Sequence, residues 1–367
     1  MMRNDSVIDE NDIVADKMDA ASFLGCGGFA DIYRGSFIDR KNDCTIPVAL
    51  KIAKRRSDDE IRYEAAMLSL CTDCPYIVRF FGHMKSSNSL VMEMGLESLY
   101  QILYKKDSLF SFFRVQIDLR LRLKLTIAFD CIRALEFLHS RLISHNDIKP
   151  DNLMLFPDGN FKLIDFGLAK PIEKACPKHS HGHKASTPPS PPSPPAVRCK
   201  GNPSYQAPEM FQSPPICSAA SDIYGFAILL NEILTEQTPM HDAFSVALLP
   251  LQVCGGSRPS LVTSAHLRDA ESYLSHLSED IDPEEVTRRL QHLIRTCWDP
   301  QSKDRPLSKA ASVSLRKMLD KTGGEARPFD AIAEFSKVGL DLALSPNVEP
   351  FTVKLPVSPV SVTALFG

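Results

Sequence analysis

His145-Asn146-Asp147-Ile148-Lys149-Pro150-Asp151-Asn152 is the stretch on which the reading of this sequence turns. It sets a carboxylate, an ammonium and a carboxamide, those of Asp147, Lys149 and Asn152, on one short loop. Transfer of a phosphoryl group to a hydroxyl asks for such a set. A carboxylate orients the hydroxyl and accepts its proton, a cation meets the terminal phosphate, and a neutral oxygen helps to hold Mg²⁺. Downstream, Leu153–Leu155 and Phe161–Ile164 read as a hairpin around the Pro157-Asp158-Gly159 turn. Asp165-Phe166-Gly167 follows, a second hard oxygen ligand beside a flexible glycine.

Working back toward the N-terminus, Leu24-Gly25-Cys26-Gly27-Gly28-Phe29-Ala30-Asp31-Ile32 predicts a glycine turn between two strands. Gly25, Gly27 and Gly28 let the backbone approach phosphates, with amide N–H groups as donors; ordinary hairpins use the same composition. Val48-Ala49-Leu50-Lys51 then places a lysine in an apolar strand, which is costly without an anionic partner. Two partners present themselves, the phosphates of a nucleotide and Glu64 on a helix predicted over Ser57–Cys71. Taken alone, Lys51 is better read as a lysine snorkelling from a strand edge. Strands predicted at Phe23–Leu24, Ile32–Tyr33, Ile46–Ala53, Ile77–Phe81 and Leu90–Met94 make a small, mostly antiparallel β unit carrying one helix.

After Gly95 the pattern turns helical. Leu121, Leu125, Ala128, Ile132, Leu135 and Leu138 recur at spacings of three and four, which buries one helix face. Ser221–Leu234 is apolar nearly all round, as a fully buried helix requires, and Glu284–Trp298 and Leu307–Leu319 complete a helical lobe. The hydrophobic and charged fractions, 44% and 24%, suit a globular protein with an ordinary core. A net charge of −3 supplies no global attraction to nucleic acid or anionic membrane. No apolar run reaches bilayer length, and Met1–Asp19 is polar and acidic, without the apolar core of a secretory signal. Ten irregularly spaced cysteines read as reduced thiols, so the expected location is the cytoplasm, with the nucleus also open.

These motifs, in this order and over roughly Phe23 to Leu319, resemble those of the eukaryotic protein kinases. The resemblance implies a bilobal α+β fold, a small antiparallel β lobe with one helix joined to a larger, mainly helical lobe. The small lobe would span about residues 21–95 and the large lobe about 96–320, with a flexible leader over 1–20 and a tail over 321–367. It implies ATP and Mg²⁺, with Mn²⁺ able to substitute, and protein substrates. Asp147 resembles the catalytic base, Lys149 the γ-phosphate contact, and Asn152 and Asp165 the Mg²⁺ ligands. Lys51 with Glu64 resembles the clamp on the α/β-phosphates. Met92 takes the gatekeeper position, Glu93 and Met94 the hinge, and Ile32, Ala49 and Met154 the sandwich around adenine. Leu68, Phe80, Phe166 and His145 resemble the apolar column joining the lobes, anchored by Asp222, and Glu209 with Arg305 resembles the large-lobe ion pair. Lys149 points to the serine/threonine class. Cys297-Trp298-Asp299-Pro300, Arg305-Pro306 and Ser221–Phe226 resemble its tyrosine-kinase-like branch.

Two positions depart from the pattern. Asn146 replaces the arginine that grips a phosphorylated activation segment in many relatives, and asparagine cannot neutralise a phosphate. Activity is therefore expected to depend little on such phosphorylation. Asn202 replaces a threonine that contacts the base and the lysine; asparagine can still hydrogen-bond to Asp147 or Lys149, but with different geometry, which loosens the serine/threonine assignment. The segment 174–200 is rich in Pro, Ser, His and Lys and is expected to be extended or disordered. Its 187–195 stretch offers Thr187, Ser190 and Ser193 to a proline-directed kinase, or a docking site to a proline-binding partner, or serves as a bare linker. Cys176, His179, His181, His183 and Cys199 are too irregularly spaced for a convincing zinc site, and Cys71-x-x-Cys74 lacks a second ligand pair. Competing readings are a pseudokinase scaffold, a dual-specificity kinase and a small-molecule kinase. Lys51, Glu64, Asp147, Asn152 and Asp165 argue against the scaffold, and Ala207-Pro208-Glu209 against the small-molecule enzyme.

Overall fold

The hydrophobic alternation along Val48–Lys51 sets the architecture of the first lobe, because side chains on a strand face opposite ways in turn. The computed structural model describes residues 8–14, 22–26, 30–54, 58–105, 121–172, 201–241, 245–268 and 282–327. Strands β1 (Ile13–Val14), β2 (Phe23–Cys26), β3 (Ala30–Asp39) and β4 (Cys44–Ala53) lead to helix α1 (Asp58–Ser69), then β5 (Phe80–Met84) and β6 (Ser89–Glu93). They form one antiparallel sheet in the order β1-β3-β4-β6-β5, with β2 also paired to β3. Val48 and Leu50 of β4 are fully buried with Met84 and Val91, under Ile8, Ile13, Phe37 and Phe81. Ala49 and Lys51 take the other face, where Ala49 lies opposite Met92 and Lys51 opposite Leu90.

Two expectations fail here for identifiable reasons. The flexible leader expected over 1–20 does not hold at residues 8–14. Ile13 and Val14 pair with Phe37 and Ser36, Ile8 N–H donates to His83 O at 3.1 Å, and Ile8 and Ile13 cover apolar surface on the sheet. The strand expected at Ile77–Phe81 begins instead at Phe80. Val78 N–H donates to Leu163 O and Leu163 N–H to Tyr76 O, so this stretch pairs with the large lobe.

The large lobe opens with β7 (Glu97–Ser98) and α2 (Leu99–Tyr104), started by a capping box between Ser98 and Gln101. It continues through α3 (Leu121–Ser140), β8 (Ile143–Ser144), β9 (Leu153–Leu155), β10 (Phe161–Leu163) and β11 (Lys170–Pro171). Then come α4 (Ala219–Thr235), α5 (Leu249–Cys254), α6 (Ser264–Arg268), α7 (Pro283–Cys297) and α8 (Ser308–Lys321). The expected hairpin is present, with Leu155 opposite Phe161 and Leu153 opposite Leu163. Helix α4 is buried from Ser221 to Leu234 and is capped by Ser218. It passes close beneath the loop that carries Asp147: a Cβ on Gly225 would lie 3.2 Å from Ile148 Cβ and 3.3 Å from Tyr205 O.

The small antiparallel β lobe with one helix, joined to a larger helical lobe, is the expected α+β architecture, and residues up to Glu325 form one unit. Among the described residues no helix is long and apolar enough to cross a membrane. Gly27, Gly28, the 174–200 segment with its Thr187, Ser190, Ser193, cysteines and histidines, and the tail beyond 327 lie outside the described residues.

Candidate active site

Lys51 is nearly buried and sits between two carboxylates, its Nζ 2.6 Å from Glu64 Oε1 and 2.7 Å from Asp165 Oδ1. Burial alone pulls an ammonium down, but the charges of Asp165 and Glu64 prevail and hold Lys51 above the ordinary lysine range. The cation is thus fixed where β4, α1 and the Asp165-Phe166-Gly167 turn meet. Helix α1 is tied to that turn a second time, since Tyr63 Oη donates to Ala169 O at 3.1 Å. Leu68, Phe80, Phe166 and His145 are all buried, and the His145 and Phe166 rings meet edge to face with centroids 5.1 Å apart.

The loop of Asp147 is hung from Asp222 at the start of α4. Asp222 accepts from His145 N–H at 2.8 Å and Asn146 N–H at 2.7 Å, and His139 Nε2 lies 2.9 Å from its Oδ2. These contacts satisfy a fully buried carboxylate and fix the loop to it. At Asp147, Lys149 Nζ and Asn152 Nδ2 both reach Oδ2 at 2.7 Å, and Asn152 also donates to Asp147 O at 2.8 Å. Both donors hold the same oxygen, so the carboxylate is oriented while Oδ1 remains available to an incoming hydroxyl. The amide of Asn152 spends its NH₂ on Asp147, which leaves its Oδ1 as an acceptor.

The remaining candidates sit on β3, β4, β6 and the segments that follow them. Ile32 of β3 pairs with Lys51, and Ala49 with Met92, which is buried. Gly25 has open space around it, and Met94 and Met154 are half-buried. A Cβ on Gly95 would press on the end of the flexible Met154 side chain, which would have to shift. Glu93 does more than lend its backbone. Its N–H already donates to Arg79 O, while its carboxylate accepts from Lys162 Nζ at 2.9 and 3.0 Å and so ties β6 to β10.

The two departures behave differently from each other. Asn146 adopts φ +66°, a left-handed conformation that asparagine tolerates. Its side chain is buried and turned inward, Nδ2 donating to Ser144 Oγ at 3.0 Å and Leu168 O at 2.9 Å. Asn202 corrects an expectation. Its side chain accepts from Ser204 N–H at 3.1 Å and caps the short turn Pro203–Tyr205, with no hydrogen bond to Asp147 or Lys149. The local cap competes successfully, as asparagine commonly does just before a turn.

Beyond the loop, Arg305 grips Glu209 bidentately at 2.6 and 2.9 Å, which anchors the Pro208–Phe211 turn to the helical lobe. Sequence reasoning missed Glu232. This α4 residue is 1% exposed and accepts from Tyr104 Oη and Tyr205 Oη, both at 2.7 Å, joining α2 to the turn after Asn202. Burial pushes its carboxyl up to about 7 despite those two donors, and nearby Asp151 adds to the rise. The missed signal was a carboxylate inside a helix that is otherwise apolar nearly all round.

Among the described residues no three His, Cys, Asp or Glu side chains converge as a self-contained metal cage. Mg²⁺ does not demand one, since it is held by one or two protein oxygens with phosphate and water. The oxygens of Asn152 and the partly exposed Asp165 carboxylate are the hard donors such an ion takes, and Lys51 supplies the cation a polyphosphate needs.

Comparison with known proteins gives a consistent result. The model of the "Protein kinase domain" family matches residues 18–314. The chain is 25% identical over 317 residues to the dual specificity protein kinase shkB of Dictyostelium discoideum, covering 85% of this chain and 41% of that protein. It is 28% identical over 302 residues to the mouse ankyrin repeat and protein kinase domain-containing protein 1, covering 81% and 35%. It is 24% identical over 313 residues to the serine/threonine-protein kinase-transforming protein mos of Moloney murine sarcoma virus, covering 81% and 72%. The chain thus spans less than half the length of the first two relatives.

Proposed function

This chain belongs to the protein kinase family, and from that premise we propose that it transfers the γ-phosphoryl group of ATP to serine or threonine hydroxyls of protein substrates. The observation that carries the reading is the Asp147 carboxylate, held at one oxygen by Lys149 and Asn152 and open at the other. In this reading Asp147 Oδ1 accepts the proton of the substrate hydroxyl as its oxygen attacks the γ-phosphorus and the bond to the β–γ bridging oxygen breaks. Lys149, already beside Asp147, stabilises negative charge on the transferring group. Lys51, set by Glu64, holds the α- and β-phosphates. Asn152 and Asp165 would hold Mg²⁺, which would supply neutralisation of phosphate charge. Ile32, Ala49 and Met154 enclose adenine beside Met92, with the Glu93–Met94 backbone along its edge and Gly25 toward the phosphates.

A dual-specificity reading draws on Asn202, which caps its own turn and does not brace Asp147 and Lys149. Matched peptides carrying Ser, Thr or Tyr separate the two. The Ser and Thr peptides are expected to be the better substrates, and a preference for Tyr would overturn the assignment. The completeness of the Lys51, Glu64, Asp147, Asn152 and Asp165 set supports catalysis over a scaffold role. Regulation follows from Asn146, whose inward-facing amide has no charge for a phosphate. Control through the 174–200 segment then acts by docking or occlusion, for example through a proline-binding partner at 187–195.

A further inference from the structure

Helices α7 and α8 border a cleft of about 460 Å³ that the proposed chemistry does not use. Its floor is apolar: Leu293 of α7 and Ala311 and Met318 of α8 are buried there, beside Pro306. Its walls are basic, with Arg288 and Arg289 on α7 and Lys317 and Lys321 on α8, all exposed. The charges facing these cations are few. Among the described residues Glu285 is the one carboxylate lining the cleft; both arginines share it, Arg289 Nε at 2.5 Å and Arg288 Nη1 at 2.8 Å, and the charge of Lys321 also acts on it. Asp282 stands 3.9 Å from Arg288, and Asp320 of α8 is engaged by Arg316. Neither Lys317 nor Lys321 forms an ion pair with another described residue. The chain as a whole carries a net charge of −3, so this surplus of cations is a local contrast to the molecule's own balance.

Exposed cations on a helix usually do no more than solvate it. Here they surround a concavity with an apolar floor, of the size that ligand sites occupy. A negatively charged partner alone would leave the floor wet, and an apolar partner alone would leave the cations uncompensated. We propose that this cleft is a docking site for a short acidic segment of a partner or substrate protein. An apolar side chain of that segment seats against Pro306, Leu293 and Met318, and its flanking carboxylates meet Arg288, Arg289, Lys317 and Lys321. Docking of this kind is separate from phosphoryl transfer, so it is read as binding and does not depend on the kinase activity proposed above.

The test is fluorescence anisotropy of the full chain with a labelled peptide of glutamates and aspartates around a Leu-x-x-Phe pair. A comparator peptide has lysines in place of the acids. The acidic peptide is expected to bind saturably, more weakly as salt is raised, and the comparator not to bind. The K317E/K321E variant, changed at two exposed positions, is expected to weaken binding about tenfold. The S314W variant fills the cleft from an exposed position without removing a charge, and is expected to weaken binding as well. Asp147→Asn is expected to bind like wild type, which keeps this outcome distinct from failure of the catalytic reading. Equal binding of the two peptides, unaltered binding by both cleft variants, or no saturable binding at millimolar protein would overturn the proposal. Retention on phosphatidylserine vesicles without peptide binding would also overturn it, in favour of a membrane surface.

Discussion

Replacing Arg305 by alanine removes a guanidinium that is fully buried and serves several acceptors at once. Nη1 and Nη2 hold Glu209 at 2.6 and 2.9 Å, Nη1 also donates to Ala220 O at 2.9 Å, and Nε donates to Asp299 O at 2.8 Å. The variant leaves the Glu209 carboxylate buried without its cation and three carbonyls, those of Ala220, Asp299 and Pro300, without a donor from Arg305. Breaking a buried ion pair from one side costs about 3–5 kcal/mol, and the orphaned carbonyls press toward the upper figure. An unfolding entropy of roughly 2 cal/mol/K per residue over 367 residues gives roughly 1.3 °C per kcal/mol, so Tm should fall by roughly 4–7 °C. Thermal scanning of wild type, R305A, E209Q and the R305M/E209L double variant provides the measurement. The double variant removes both charges together, so it should lose less than the two single losses combined. A shift of under about 2 °C for R305A, set against the same scale, would refute the reasoning. So would a double variant as unstable as the sum.

Glu232 makes a pH prediction of definite sign. Its folded-state carboxyl is raised to about 7 from 4.5, so the folded chain holds a proton that the unfolded chain has released. The group therefore costs nothing below the unfolded value, costs more as pH rises through the window, and reaches about 3 kcal/mol above it. Tm of E232Q relative to wild type should climb as pH rises from 4.5 toward 7, and a difference that stays flat across this range would contradict the assignment. For regulation, T187A/S190A/S193A should leave peptide phosphorylation unchanged, because Asn146 offers no charge to a phosphate. A large activation of wild type by phosphorylation, abolished in the triple variant, would show that another cation takes the missing arginine's place.

What the sequence made legible, and what it hid, follows the range of the interactions involved. Asp147, Lys149 and Asn152 could be read because a single loop carries all three, and their mutual contacts are local. Lys51 with Glu64 and Glu209 with Arg305 were legible through motif order, although the second pair is 96 residues apart in sequence. The Tyr104–Glu232–Tyr205 junction was hidden because three separate elements supply it and no local pattern announces the partners. Asn202 misled because its own turn competes for the side chain, which pairwise reasoning about Asp147 left out. The strand start at Phe80 depended on Leu163 capturing the backbone at Tyr76 and Val78, a contact between the two lobes. Residues 8–14 showed too little hydrophobic pattern to predict order, yet the edge of β3 and an apolar patch on the sheet were there to receive them. The α7–α8 cleft emerges only once both helices lie side by side.

The central claim is that Asp147 accepts the proton in a transfer from ATP to a protein hydroxyl. Incorporation of radiolabel from γ-labelled ATP with Mg²⁺ into a Ser/Thr peptide, measured for wild type and D147N at equal ATP occupancy, tests it most directly. The account predicts robust incorporation by wild type and a fall of roughly 10²–10⁴-fold in D147N with nucleotide binding retained. Equal incorporation by the two proteins, or none by either, would contradict it.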